Sequence, residues 1–216
     1  MAYDLEEQER LDELKAFWAR WGTPITLGLT VVLLVVAGWR GWGWWQMREA
    51  GAASAIHEKL DEALRRGQLA EAAPMAATLM KEYGGTAYAP LAALRVARAQ
   101  IDAGDSKSAR TTLTWAMDHG DDAGIRSIAR IRLAGLMLDE GVADRTQLDE
   151  GLKLLAGAPP AEMAGAWLDR KADLLAELGR RDEAKAAWTD ALSKLDGNSP
   201  LRPLVQLKLD TLGAGS

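Results

Sequence analysis

The stretch Ile101-Asp-Ala-Gly104-Asp-Ser-Lys-Ser-Ala109 decides the fold, because its pattern recurs along the chain. An apolar-periodic segment runs into a glycine, polar residues follow, and a small Ala stands five residues after the glycine. The same order reads in Leu64-Arg-Arg-Gly67-Gln-Leu-Ala-Glu-Ala72 and in Leu178-Gly179-Arg-Arg-Asp-Glu-Ala184, while Leu138-Asp-Glu-Gly141 shares the first half. Gly67, Gly104, Gly141 and Gly179 fall 37, 37 and 38 residues apart. A glycine after an apolar-periodic run can close a helix in the left-handed conformation, since it has no Cβ to clash there. The polar residues after it open a second helix, and the small Ala lets the two helices approach closely. At nine and twelve residues past the glycine stand Ala76 and Leu79, Leu113 and Ala116, and Trp188 and Ala191, on what becomes the packed face of that second helix. The third copy differs. Val142–Glu150 is more polar before Leu152, Leu154 and Leu155, which reads as an insertion in its turn.

Helix, glycine turn and helix, repeated at a little over the 34-residue period, is the pattern of tetratricopeptide-like repeats, in which each helix pair buries its apolar face against the next. The usual Trp, Leu-Gly and Tyr positions of the first helix are mostly absent, and Gly67 opens the least regular copy. Leu201–Leu212 reads as a terminal capping helix, with 213–216 a disordered end. The expected fold is all-α: a single N-terminal transmembrane helix followed by a helical repeat solenoid. Composition agrees, for the core must be made of Ala and Leu when only one Phe and three Tyr are present.

The span lies ahead of the repeats. No charged residue occurs from Gly22 to Trp39, and extension to Met47 adds only Arg40. A hydrocarbon core needs about 20 helical residues, which Pro24–Trp45 supplies. The segment from Ile25 to Ala37 is apolar all round, unlike a helix lying on a surface. Trp18 and Trp21 precede it, and Trp39, Trp42, Trp44 and Trp45 close it, so six of the nine tryptophans mark the two ends of one segment. That is the distribution of interfacial belts, with Arg40 close enough to the interface to snorkel. Thr23-Pro24 reads as a helix start, Thr as cap and Pro at the first helical position. A cleaved signal peptide would have a basic start and a small-residue end, neither of which is present. The divisions expected are a tail over 1–20 with an amphipathic helix on Leu11, Leu14 and Trp18, the span and its belt over 21–47, repeats over 48–212, and the end beyond.

Charge leaves the orientation open. Arg10, Lys15 and Arg20 stand on one side of the span, and Arg40, Arg48, Lys59, Arg65 and Arg66 on the other. The formal net charge of −5 is spread as a mixed acidic surface, which disfavours nucleic acid as a partner. With no cysteine there is no disulfide framework, thiol nucleophile or Cys-based metal site. His57 and His119 are isolated, read as surface residues, and stand in no metal-ligand spacing. Gly41-Trp-Gly43 is half of a dinucleotide fingerprint at the membrane edge, and no phosphate loop or nucleophile elbow occurs. Asp121-Asp122, Asp149-Glu150 and Asp182-Glu183 are placed at expected helix starts, where they complement the helix dipole. The reading is therefore of a non-enzyme without catalytic residues, cofactor or metal. Trp115, Trp167 and Trp188 read as core before they read as a peptide groove. Arg95 with Arg98, and Arg126 with Arg130, read as solvated faces with the alternative of holding acidic partner segments.

The acidic tail with Leu14-Lys-Ala-Phe-Trp18, the span ending in Gly38-Trp-Arg40, and repeats holding Gly104-Asp-Ser-Lys-Ser-Ala109 and Gly179-Arg-Arg-Asp-Glu-Ala184-Lys-Ala-Ala-Trp188 together resemble the YfgM family, ancillary subunits of the bacterial SecYEG translocon. The resemblance covers nearly the whole chain. It implies an inner-membrane protein with a cytoplasmic N-terminus and a periplasmic repeat domain. The partners it implies are the SecYEG translocon, a PpiD-like membrane chaperone and unfolded clients, with translocated polypeptides passed to periplasmic chaperones. It also implies a link between the tail and a cytoplasmic regulator. It carries over no functional residue, and the partner-binding residues stay unknown. Two other readings stand beside it: a repeat scaffold for another envelope assembly, such as outer-membrane protein insertion or cytochrome maturation, and a membrane-bound enzyme or regulatory subunit.

Overall fold

A computed structural model describes residues 2–141 and 144–214, and among them every regular element is helical. The order is α1 (Ala2–Arg65), α2 (Leu69–Glu82), α3 (Tyr88–Asp102), α4 (Ser106–His119), α5 (Ala123–Gly141), α6 (Arg145–Leu154), a 3₁₀ turn at Ala161–Met163, α7 (Ala164–Glu177), α8 (Arg181–Lys194) and α9 (Arg202–Ala214). The chain divides into two compact units, residues 1–49 and 50–216.

In the second unit three of the glycine turns are built alike. Gly67, Gly104 and Gly179 have φ of 73°, 78° and 78°, in the left-handed region that a Cβ disfavours. At each, the glycine N–H bonds the carbonyl three residues back: Leu64 at 3.0 Å, Ile101 at 2.9 Å and Ala176 at 2.9 Å. The next N–H reaches five residues back, from Gln68 to Ala63 at 2.9 Å, Asp105 to Gln100 at 2.8 Å and Arg180 to Leu175 at 2.9 Å. These paired bonds satisfy carbonyls the helix end leaves open, so one motif closes three helices. The copy at Gly67, the least regular in sequence, is as well formed as the others. The small residues beyond the turns, Ala72, Ala109 and Ala184, are fully buried. So are Leu79, Leu113, Ala116 and Ala191, with Ala76 and Trp188 nearly so.

Packing follows the repeat. Ala53, Leu60 and Ala63 of α1 join Ala72, Ala76 and Leu79 of α2 and Ala89, Ala92 and Val96 of α3 in one buried cluster. A second cluster joins α3, α4 and α5, a third holds Trp167 with Leu148 and Leu155, and a fourth seats Val205 of α9 against Trp188 and Ala184 of α8. Successive first helices touch, α3 with α5 and α5 with α7. No comparable contact joins successive second helices among the described residues, so the first helices form the inner, more crowded layer of the stack.

Several expectations are corrected. Gly141 is no left-handed turn: it is the last residue of α5, buried, with a helical backbone. Its lack of a side chain serves packing instead, since a Cβ there would lie 2.6 Å from Leu148 Cγ. Nor does the third copy carry an insertion in its turn. The extra residues lengthen α5, and the polar run from Arg145 onward is α6 itself, capped by Asp144, whose carboxylate accepts from Thr146 N at 3.0 Å and Thr146 Oγ1 at 2.7 Å. Asp149-Glu150 therefore sits inside α6 rather than at a helix start, whereas Asp122 does cap α5, accepting from Gly124 N at 2.7 Å and Ile125 N at 3.0 Å. His57 is not a surface residue. Its side chain is 15% exposed, with its ring 5.5 Å from that of Tyr88. The capping helix α9 extends to Ala214, and the rest of the expected disordered end lies outside the described residues.

In the first unit the expected helix start at Thr23-Pro24 is overturned, because α1 runs through it and Pro24 stands inside the helix. Proline removes one N–H, leaving the Arg20 carbonyl without its partner, yet the flanking residues keep the turn going. At the edge of a bilayer that carbonyl can take water. Gly22 is buried beneath the Trp18 ring, 3.2 Å from where a Cβ would stand. The Thr26 hydroxyl donates to the carbonyls of Gly22 at 2.8 Å and Thr23 at 3.0 Å, and Thr30 donates to Thr26 at 2.8 Å. Both span hydroxyls are thus satisfied within the helix.

Candidate functional site

Two surfaces are candidates for function, one in each unit. In the first unit every residue from Thr23 to Arg40 is exposed, although the segment is almost wholly apolar. A helix of a water-soluble core would bury one face. Apolar side chains presented on all sides, with backbone bonds closed internally, are what a hydrocarbon solvent requires. At 1.5 Å per residue Pro24–Trp45 rises about 33 Å, the thickness of a bilayer core. Trp18, Trp21, Trp39, Trp42, Trp44 and Trp45 are all exposed at its two ends. Trp42 and Trp45 lie 5.5 Å apart in a tilted pair, and the Arg48 guanidinium stands 5.5 Å over the Trp44 ring. Arg48 thus joins the belt in which the sequence reading placed Arg40 alone, a cation over an indole face.

In the second unit the inner layer of first helices holds a cavity of about 220 Å³ lined by Arg98 of α3, Arg132 and Asp139 of α5, and Arg170 of α7, with Ile131 and Leu136 as apolar walls. Arg132 donates to the Leu94 carbonyl at 2.7 Å. Burial, helped by the nearby Arg98 charge, pulls its guanidinium below the ordinary arginine value. Arg170 lies against Gly135, where a Cβ would stand 3.2 Å from its Cζ, and its Nε is buried without a hydrogen-bond partner. Arg98 pairs with Asp102 of its own helix at 3.0 Å, both side chains being exposed.

Of the arginines that sequence reading singled out, Arg98 belongs to this cavity. Arg95 instead pairs with Asp61 of α1 at 2.6 Å, and Arg126 closes its own turn on the carbonyls of Gly120 at 2.5 Å and Asp121 at 2.9 Å. Arg132 and Arg170 were missed. Arg170 follows Arg132 by 38 residues, one glycine spacing, whereas the residue 37 before Arg132 is Arg95, so the repeat ties Arg132 to Arg170 and does not single out Arg98. Trp167 and Trp188 are core: Trp167 Nε1 donates to the Leu155 carbonyl at 3.2 Å, and Trp188 Nε1 to Asp169 at 3.1 Å. Trp115 is half-buried and stacks on His119, with ring centroids 4.6 Å apart. No cluster of three or more His, Asp or Glu side chains stands ready to hold a metal among the described residues.

The capping helix is tied down by charge. Lys208 of α9 bonds Asp169 at 2.8 Å and Asp173 at 2.7 Å, both on α7, and Asp173 also faces Arg170 at 3.4 Å. Burial raises the Asp173 carboxyl above its usual range and the neighbouring Asp169 adds to this, while the Lys208 hydrogen bond and the charges of Lys208 and Arg170 act against it.

A family model described as a tetratricopeptide repeat-like domain matches residues 15–214. The chain is also similar over nearly its full length to three proteins that each carry the name Ancillary SecYEG translocon subunit. The relative in Neisseria gonorrhoeae is 28% identical over 98% of this chain and 100% of its own. That in Escherichia coli is 25% identical over 95% and 96%, and that in Haemophilus influenzae 26% over 98% and 100%. These agree with the resemblance read from the sequence.

Proposed function

Because the chain belongs to the tetratricopeptide repeat-like family, we propose that it is a membrane-anchored, non-catalytic protein-binding subunit associated with the Sec translocon. The observation that carries this reading is the pairing, in one chain, of an all-round apolar helix with belts of Trp and a stack of helix hairpins whose inner layer holds an open cavity. The full-length similarity to the named translocon subunits supplies the partner.

In this reading Pro24–Trp45 crosses the bacterial inner membrane once, with Trp18, Trp21, Trp39, Arg40, Trp42, Trp44 and Trp45 at its interfaces. The N-terminus is cytoplasmic and the repeats are periplasmic. There they receive segments of translocated polypeptides and pass them to periplasmic chaperones, a PpiD-like membrane chaperone among the partners. The glycine turns at Gly67, Gly104 and Gly179, with the close approach at Gly141, fix the helix pairs that shape the surface. Two experiments test it. A reporter fused after Ser216 should be active only in the periplasm, and a cytoplasmic signal ends the hand-off reading. Purification from detergent-solubilised membranes should bring down the translocon with the whole chain, but not with residues 1–49 alone. Recovery of an outer-membrane insertion or cytochrome maturation complex instead would favour the scaffold reading.

A further inference from the structure

We propose that Gln100 anchors a groove on the outer layer of the stack, between α2 and α4, that binds the backbone of an extended, uncharged polypeptide segment; the groove rests on the protein-binding reading above and gives it a ligand chemistry. Four residues before the repeat glycines stand Ala63, Gln100, Met137 and Leu175, and all four are buried. Three of them are apolar, as a packed position between helices favours, and one is a primary amide. Gln100 is only 7% exposed, and its Oε1 is buried without a hydrogen-bond partner. Burying an unpaired amide oxygen is costly, and an apolar side chain avoids that cost, as the other three copies do. Packing therefore gives Gln100 no reason to be polar, whereas the groove it lines does.

Successive second helices do not pack closely on each other among the described residues, and the gap between α2 and α4 is a cavity of about 440 Å³. One face of α2, from Ala73 to Met80, forms a wall, and Gln100 of α3 lies in the lining. That wall rises about 10 Å, the length of about three extended residues. On the α4 side the Thr111 and Thr112 hydroxyls donate to the carbonyls of Lys107 at 3.2 Å and Ser108 at 2.9 Å, so they have lone pairs left to offer. With Gln100 Oε1 they make a set of acceptors, which calls for N–H donors. Among the described residues no carboxylate lines the groove, and its one cation, Lys107, is exposed. A cationic donor would find no counter-charge there and would meet Lys107, whereas an amide N–H carries no net charge. An extended backbone supplies such groups. The Gln100 amide can meet it at both ends, Oε1 accepting from an N–H and Nε2 donating to a carbonyl. Alanines in the wall leave room for small side chains, and Met80 adapts to them.

The test uses the full chain in detergent micelles and a water-soluble peptide of alternating alanine and serine that carries a dye. Fluorescence anisotropy follows binding, and in a chain with isotope-labelled glutamine the Gln100 side-chain amide resonance should shift as the peptide is added. Methylating the peptide's backbone nitrogens removes the donors and should weaken binding by about tenfold or more. Gln100→Met, the residue of the next copy, should raise the melting temperature while weakening binding to a similar extent, a split that a merely structural amide would not give. Ala77→Trp, at an exposed position of α2, fills the groove without altering Gln100 and should block binding in a chain that circular dichroism shows to be folded. No binding by the unaltered chain, equal binding of the methylated peptide, or unchanged binding to folded Gln100→Met or Ala77→Trp overturns the groove. Tighter binding when lysine replaces the serines overturns the uncharged assignment. The wider reading is tested apart from the groove, by whether the unaltered chain brings down the translocon.

Discussion

The four repeat glycines should separate into two physical classes when alanine replaces them. At Gly104 nothing lies within 4 Å of an added Cβ, so the cost of Gly104→Ala is backbone strain alone. A non-glycine residue at φ of 78° costs about 1–2 kcal/mol. At Gly141 the backbone is helical and alanine would by itself be favoured by up to about 1 kcal/mol. There the opposition is steric, from the Leu148 side chain whose Cγ would stand 2.6 Å away, and such overpacking costs about 1–3 kcal/mol. The two single variants therefore lose similar stability, and size does not tell them apart. Two further variants do. Asn tolerates the left-handed region, so Gly104→Asn should recover most of the loss, whereas Gly141→Asn should be worse than Gly141→Ala. In a double-mutant cycle with Leu148→Ala, the Gly141→Ala penalty should vanish, a coupling of about 1–3 kcal/mol. The assay is thermal and denaturant unfolding of the full chain in detergent, followed by circular dichroism. If Gly141 and Leu148 prove additive within about 0.5 kcal/mol, or Gly104→Asn is as damaging as Gly104→Ala, the assignment of the two classes is wrong.

Lys208→Met should destabilise the C-terminal end of the stack by about 3 kcal/mol, because it leaves the largely buried carboxylates of Asp169 and Asp173 with only their Trp188 and Arg170 contacts, and protease nicking near α9 should rise with it. Trp188→Phe keeps an aromatic ring but loses both core volume and the Nε1 bond to Asp169, with an expected cost of about 2–4 kcal/mol in the same unfolding assay. Asp173 binds its proton more tightly folded than unfolded, so its share of stability is greatest below the unfolded value of 3.8 and declines as pH rises from there through the raised folded value. The stability of Asp173→Asn relative to the parent should accordingly increase across that window in pH-dependent melts, and a difference flat with pH would contradict the burial assigned to this carboxyl. Replacing Leu33 and Val36 by Asp should abolish recovery in the membrane fraction, since both side chains are exposed along the apolar segment and each charge is costly at mid-bilayer.

The repeat was legible because it is written in residues whose roles are local. A glycine at a left-handed cap and an alanine under a neighbouring helix are selected by geometry within a few residues, so spacing alone exposes Gly67, Gly104 and Gly179. Gly141 looked the same in sequence and is not, because its reason lies in a contact with Leu148 across a turn, and periodicity is blind to contacts. Thr23-Pro24 misled for the opposite cause. Cap chemistry and proline stiffness are local preferences of modest size, and they give way where good helix formers continue on both sides and a solvated boundary accepts one free carbonyl. His57 was misplaced because a lone polar residue carries no periodic signal of its own burial.

The cavity exposes a further limit. Arg98, Arg132 and Arg170 are far apart in sequence, and each looks like an ordinary solvated cation on its own helix. Stacking of successive first helices brings Arg98, Arg132 and Arg170 to one cavity, although only Arg132 and Arg170 stand a full period apart. In the proposed role the repeat surface need not bind tightly. A tether beside the exit of a membrane pore sets an effective concentration on the order of millimolar for emerging segments, so contacts that are weak in free solution are still occupied. Weak contacts also release a segment quickly, which a hand-off requires and a tight apolar groove would prevent.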